Sequence, residues 1–231
     1  MIQQQLLDLF NQEYDFNSFI ASGNEIIVAN LQNFSSQFTH IFGDHLTGKT
    51  HLIKSWVNLA NTKYHSSIYI DAVTEKNIDI EHIERGGYRF IAIDNIDKLS
   101  DEGQVELFNL FNHIKLNSRD NYLLTSSSVN LNHAELRVDL KTRLQSGMVF
   151  VLKNLTEDEL LNALSIYTKR EGIKFSNAEL QYLLTHYTRN LGKLLALINH
   201  IGDFATMQKK PITTHLIKNV LNLQIEKATI I

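Results

Sequence analysis

The residues best suited to chemistry run from Gly43 to Thr50. The segment Gly43-Asp44-His45-Leu46-Thr47-Gly48-Lys49-Thr50 fills every fixed position of the phosphate-binding pattern G-x-x-x-x-G-K-[ST]. Its two glycines admit backbone angles closed to other residues, so the loop can wrap an anion with its N–H groups pointing inward. Lys49 is placed to reach terminal phosphates and Thr50 to hold Mg²⁺, and a helix starting here aims its positive end at the same charge. A nucleotide, ADP or ATP, is the ligand this pattern serves. Phosphate chemistry also needs a carboxylate, and Phe90-Ile91-Ala92-Ile93-Asp94 is an apolar strand that ends in one. In a doubly wound sheet Asp94 comes out at the ligand-binding edge, as a partner for Mg²⁺ through water.

The next residue, Asn95, is a neutral amide that cannot accept a proton from an attacking water, so slow intrinsic hydrolysis is expected. Asp97 reads as a solvated turn or helix-cap carboxylate. Thr125, Ser126, Ser127 and Ser128 end a later strand at the same edge, where hydroxyls can orient water against a γ-phosphate; Asn95 and Ser127 are the candidates for that sensing. Arg143, in Val138-Asp139-Leu140-Lys141-Thr142-Arg143-Leu144, is placed to reach a neighbouring molecule's nucleotide, although a lone arginine is ordinarily a solvated surface charge.

The elements that must position these residues follow an α/β rhythm. Strands are expected at 38–42, 67–71, 88–94, 122–126 and 148–152, and their continuous apolar runs suggest cover on both faces. A helix over 24–32 precedes the first strand. Another over 49–63 turns Leu52, Ile53, Trp56, Val57 and Ala60 inward, and a third over 101–116 buries Val105, Leu107, Phe108, Leu110 and Phe111 with Ser100 as its cap. Strands alternating with helices imply a five-stranded parallel sheet with right-handed crossovers. After Leu152 the pattern changes. Thr156-Glu157-Asp158-Glu159 and Ser176-Asn177-Ala178-Glu179 are capping boxes, and helices over 191–207 and 213–223 follow, the last just after the only proline, Pro211. The division expected is a tail over 1–12, an α/β nucleotide-binding subdomain over 13–153 and a small all-α subdomain over 154–231.

Composition narrows the classes of function. At 231 residues with 43% hydrophobic content the chain can bury a sizeable core. It has no cysteine, which excludes disulfides and thiolate chemistry. No Lys or Arg precedes Lys49 and no apolar run spans a bilayer, so a soluble protein with no membrane partner and a cytoplasmic location is expected. A net charge of -3 argues against a protein that works by coating nucleic acid. The ten histidines lack ligand spacing, and each reads as a surface or core residue.

The tail segment Gln5-Leu6-Leu7-Asp8-Leu9-Phe10 combines an amide with closely spaced apolar groups. Two uses stay open on these residues: a linear motif that docks in a partner's hydrophobic pocket, or simple packing of Leu6, Leu9 and Phe10 on the domain.

Together, Asp15 to Ser22, the phosphate loop, Ile93-Asp94-Asn95-Ile96, Leu124-Thr125-Ser126, Lys141-Thr142-Arg143-Leu144 and the helical subdomain resemble the DnaA family of AAA+ ATPases over nearly the whole chain. The resemblance is strongest to the family's regulatory inactivators, since 231 residues leave no room for the DNA-binding helix-turn-helix that follows the lid in the initiator. It implies an AAA+ fold with a helical lid. It implies that Arg143 acts in trans as an arginine finger on ATP held by DnaA. Gln5, Leu6, Leu9 and Phe10 resemble the motif that binds the replicative sliding clamp, the β subunit of DNA polymerase III, so DNA would be a partner indirectly through the clamp, and self-association stays open. The family's inactivator works with ADP bound. Where the family places a sensor arginine in the lid, this chain has Gly192, so Lys193 or Arg189 would have to reach over instead. The competing reading is a DnaA-like loading or anchoring factor for nucleic acid or helicase, with no role in DnaA's ATP turnover.

Overall fold

The computed structural model describes residues 14–117 and 119–228. Two compact units divide between Asn154 and Leu155. The first is built on a fully parallel five-stranded sheet of order β2-β3-β4-β1-β5, formed by β1 (Phe38–Phe42), β2 (Ser67–Asp71), β3 (Phe90–Asp94), β4 (Tyr122–Ser127) and β5 (Met148–Val151). The order reverses beside β1, the strand that feeds the glycine loop. The chain after β1 therefore emerges between β4 and β5, in the crevice where open α/β sheets bind ligands.

Two cores flank the sheet. On one face α1 (Glu25–Gln32) and α2 (Lys49–Tyr64) pack Ile27, Leu31, Leu52, Ile53, Trp56 and Ala60 against Ile41, Phe90, Ala92 and Leu124. On the other, α3 (Ile80–Arg85), α4 (Asp101–Asn117) and α5 (Val138–Gln145) cover Ile70, Ile91, Ile93 and Leu123 with Ile83, Leu107, Leu110, Phe111, Leu140 and Leu144. Burying each leucine, isoleucine or phenylalanine among these stabilises the fold by about 1.5–3 kcal/mol. Asn24 starts α1 without capping it. Its amide donates to the Lys153 carbonyl at 3.1 Å while its own carbonyl oxygen accepts the Lys153 N–H at 2.9 Å, which fixes the chain leaving β5.

Several expectations need correction. Ser100 does cap α4, its Oγ accepting the Gly103 N–H at 3.0 Å, but Val105 is 37% exposed. The buried stripe runs through 103, 104, 107, 110, 111 and 114, and leaves position 105 at its margin. Helices α3 and α5 were not expected. The first has only six residues and is capped by Asp79, which accepts from the His82 N–H; the second buries only Leu140 and Leu144, with Val138 facing out. Neither is long enough to print a 3.6-residue pattern. β5 pairs with β1 alone, and Met148, Val149 and Val151 stay partly exposed, so the expectation of cover on both faces fails on this edge strand.

The second unit is all helical, with α6 (Glu157–Arg170), α7 (Asn177–His186), α8 (Leu191–Gln208) and α9 (Thr214–Ala228). Both expected capping boxes form. Thr156 and Ser176 accept from the N–H of Glu159 and Glu179, and those glutamates accept the cap N–H groups at 2.7 Å. Leu160, Leu164, Leu183, Leu194, Ile198 and Ile217 belong to a separate core.

Candidate nucleotide site

The loop between β1 and α2 needs both of its glycines. At Gly43 a Cβ would lie 2.8 Å from the Leu152 carbonyl oxygen, because the loop leaves the sheet tight against the end of β5. Gly48 sits at φ +91°, and a Cβ there would lie 2.8 Å from the ring of Phe19. Asp44 closes the turn by accepting Thr47 Oγ1 at 3.0 Å. His45 and Leu46 form the exposed crest, with Leu46 in the left-handed region.

Lys49 begins α2 and is only 8% exposed. Its ammonium donates to the carbonyls of Gly43 at 2.6 Å and Asp44 at 2.8 Å. Burial lowers its pKa, and the nearby charges of Asp94, Asp97 and Asp44 pull the other way. A cation this withdrawn from water and held by carbonyl dipoles suits an anionic ligand on the loop.

The next residue, Thr50, donates from Oγ1 to Asp94 Oδ2 at 2.6 Å. Asp94 is fully buried at the end of β3 and has a partner on every side. Tyr69 OH donates to Oδ2 at 3.2 Å, Asn95 N–H to Oδ1 at 3.1 Å, and Ser126 Oγ also donates to Oδ1. A hydroxyl and a carboxylate oriented by second donors are hard oxygen ligands that suit Mg²⁺ on a nucleotide. The residues present therefore fit a Mg²⁺–nucleotide.

Asn95 is held in the left-handed region at φ +58°, with its side-chain amide donating to Asp71 Oδ1 at 2.9 Å. Ser127 lies on the other side of the strand from Ser126, against His40 Nε2 at 3.1 Å. The hydroxyl on the Asp94 side is that of Ser126, and alternation along β4 is the signal that separates the two. Asp97 is not a solvated turn residue. Its carboxylate is 8% exposed and accepts Ser128 N–H at 3.0 Å and Ser128 Oγ at 2.7 Å, joining the turn after β3 to the end of β4. Burial alone would raise its pKa, but these bonds hold it below the usual carboxylate range.

His40, one of the ten scattered histidines, is a core residue, and its partners are what spacing did not indicate. It is 1% exposed in β1 and bridges to β4 through Thr125 Oγ1 at 2.8 Å and Ser127 Oγ at 3.1 Å. Burial pushes its pKa down to about 4 despite the opposing charge of Asp97. Its place three residues before Gly43 on a buried strand was the available signal.

The segment before α1 lies along α2. Ser18 Oγ and the Asp15 carbonyl both meet His51 Nε2, at 3.1 and 3.0 Å, and Asn58 donates to the Tyr14 carbonyl. Arg143 lies on α5, half-buried, with its guanidinium 5.8 Å from the centre of the Phe108 ring; among the described residues it makes no ion pair. In the helical unit Arg189 donates to Glu157 at 2.7 Å, whereas Lys193 is exposed in the first turn of α8. Gln5, Leu6, Leu9 and Phe10 lie outside the described residues.

A parallel sheet ordered around a glycine loop, an acidic strand end facing that loop and a helical unit following in sequence define an AAA+ P-loop protein. Residues 157–221 match the family model described as "Hda, lid domain". The chromosomal replication initiator protein DnaA of Wolinella succinogenes is 27% identical over 95% of this chain, and the chain spans 54% of that protein. Domain III of the Thermotoga maritima replication initiation protein DnaA superposes with a TM-score of 0.74 at 19% identity, covering 92% of this chain and 97% of that one. AMPPCP-bound DnaA from Aquifex aeolicus gives 0.66 at 21% identity, covering 82% and 65%. The chain thus has the AAA+ fold and is similar to the Hda lid over its helical unit and to DnaA along most of its length.

Proposed function

We propose that this protein is a nucleotide-bound regulator of DnaA. It holds ADP or ATP with Mg²⁺ through the 43–50 loop, Thr50 and Asp94. It docks on the DNA-loaded sliding clamp through Gln5, Leu6, Leu9 and Phe10, and it presents Arg143 to ATP bound by DnaA. DnaA, the clamp and, through the clamp, DNA are its partners in the cytoplasm, and the outcome is that re-initiation of replication is prevented.

The observation that carries this reading is the setting of Arg143. A guanidinium braced on an aromatic ring, with no carboxylate neutralising it among the described residues, keeps its charge for a partner. Offered to a phosphoryl group in transfer, such a cation contributes on the order of 10³ to 10⁵ in rate. The chain's own site has the opposite character, because Asn95 offers no carboxylate to a water and its amide is bonded to Asp71. Bound Mg²⁺ would neutralise phosphate charge, while Lys49, Thr50 and Asp94 keep the ligand oriented. Nucleotide then acts as a conformational ligand, with Lys193 as the candidate lid cation.

The test is a reconstituted assay of hydrolysis of DnaA-bound ATP. Stimulation is expected only when this protein, the clamp and DNA are all present. Equal stimulation without the clamp, or none with every component, would overturn the reading. DNA binding by the isolated protein with a steep salt dependence would favour an anchoring factor instead.

A further inference from the structure

Tyr69 is half-buried on β2, and none of the sequence motifs includes it. Its hydroxyl donates to Asp94 Oδ2 at 3.2 Å, the same oxygen that accepts Thr50 Oγ1 at 2.6 Å. Lys54, one helical turn beyond Thr50 on α2, places its ammonium 5.2 Å from the centre of the Tyr69 ring and 4.8 Å from that of Tyr14. The carboxylate has no proton to give, so the phenol is the donor of this contact. Helix α2 and strands β2 and β3 are thus cross-braced: Thr50 and Tyr69 meet on one carboxylate oxygen, and Lys54 clamps Tyr69 from the helix.

We infer that Tyr69 is a positioning residue for the Mg²⁺ of the bound nucleotide, acting through Asp94 and Thr50. This rests on the nucleotide reading proposed above. A carboxylate buried among neutral donors is free to turn about its own axis unless each oxygen is assigned. Ser126 and Asn95 assign Oδ1, and Tyr69 with Thr50 assigns Oδ2. With Oδ2 fixed, the Thr50 hydroxyl proton has a defined acceptor and its lone pairs are left for the metal. Without the phenol, the metal side of Asp94 keeps one donor in place of two. Second donors on metal-binding groups are typically worth 10- to 100-fold in metal affinity.

The test is the Tyr69→Phe variant, which removes one oxygen and keeps the ring on which Lys54 rests. ADP affinity is measured by titration with and without Mg²⁺, and Mn²⁺ binding to the ADP-loaded protein by electron paramagnetic resonance. The expected result is a loss on the order of 10-fold in Mn²⁺ affinity and in the Mg²⁺-dependent gain in ADP affinity, with the Mg²⁺-free ADP affinity moving less than about twofold. An unchanged Mg²⁺-dependent gain would overturn the inference and leave the nucleotide reading standing. Equal losses with and without Mg²⁺ would overturn it too, since they would mark a general packing role. If the wild-type protein binds no ADP, the nucleotide reading falls and this inference falls with it.

Discussion

Thr50 Oγ1 lies 2.6 Å from Asp94 Oδ2, so the first turn of the loop helix is hydrogen-bonded to the end of the acidic strand. The contact joins residues 44 positions apart in sequence and sets the metal-facing geometry in the protein itself. Lys49, one residue earlier, is the buried cation of the same turn.

Replacing Lys49 by Ala is expected to weaken ADP binding by at least about tenfold, since a charge-assisted bond to phosphate is typically worth about 1.5–3 kcal/mol. Isothermal titration reads this directly. An affinity within twofold of wild type would show that the loop does not hold phosphate.

His40 makes folding stability depend on pH. Its folded pKa of about 4 lies below the ordinary 6.5, so the unfolded chain takes up the proton first. The contribution is fully present above pH 6.5 and is lost as pH falls from there toward 4, by about 3 kcal/mol over the window. Denaturant melts at pH 7 and pH 4.5 should show the loss, and His40→Gln should flatten the difference. A wild-type stability that stays level across the window would refute the assignment.

The lid offers two cations, and they are not equivalent. Arg189 is engaged with Glu157 at 2.7 Å on a largely exposed surface, a pair worth about 0–1 kcal/mol. Arg189→Ala should leave ADP affinity within twofold, whereas Lys193→Ala should lower it several-fold. The reverse ranking would reassign the sensor.

The isolated protein should turn over ATP negligibly, because Asn95 stands after Asp94 and its amide is tied to Asp71. A steady-state assay with purified protein and ATP in excess checks this. Multiple turnovers per minute would point to another base.

The sheet, the loop and the capped lid helices were legible because each rests on local chemistry: fixed glycines, runs of apolar residues, and Thr or Ser with Glu three residues on. What the sequence concealed is cross-strand. His40 meets Thr125 and Ser127 through the register of β1 on β4, and Tyr69 meets Asp94 across β2 and β3, neither of which sequence spacing encodes. Asp97 was misread for the same reason, its partner Ser128 lying 31 residues away. Helix α5 was missed because its two buried leucines leave most of its surface polar, yet it carries Arg143.

The most direct measurement is the rate of hydrolysis of DnaA-bound ATP with clamp, DNA and the Arg143→Ala variant. Its clamp binding is followed in parallel, and Leu9→Ala/Phe10→Ala serves as the control that loses it. The expected result is loss of stimulation by on the order of 10³-fold or more with clamp binding intact. Full stimulation by Arg143→Ala would contradict the account.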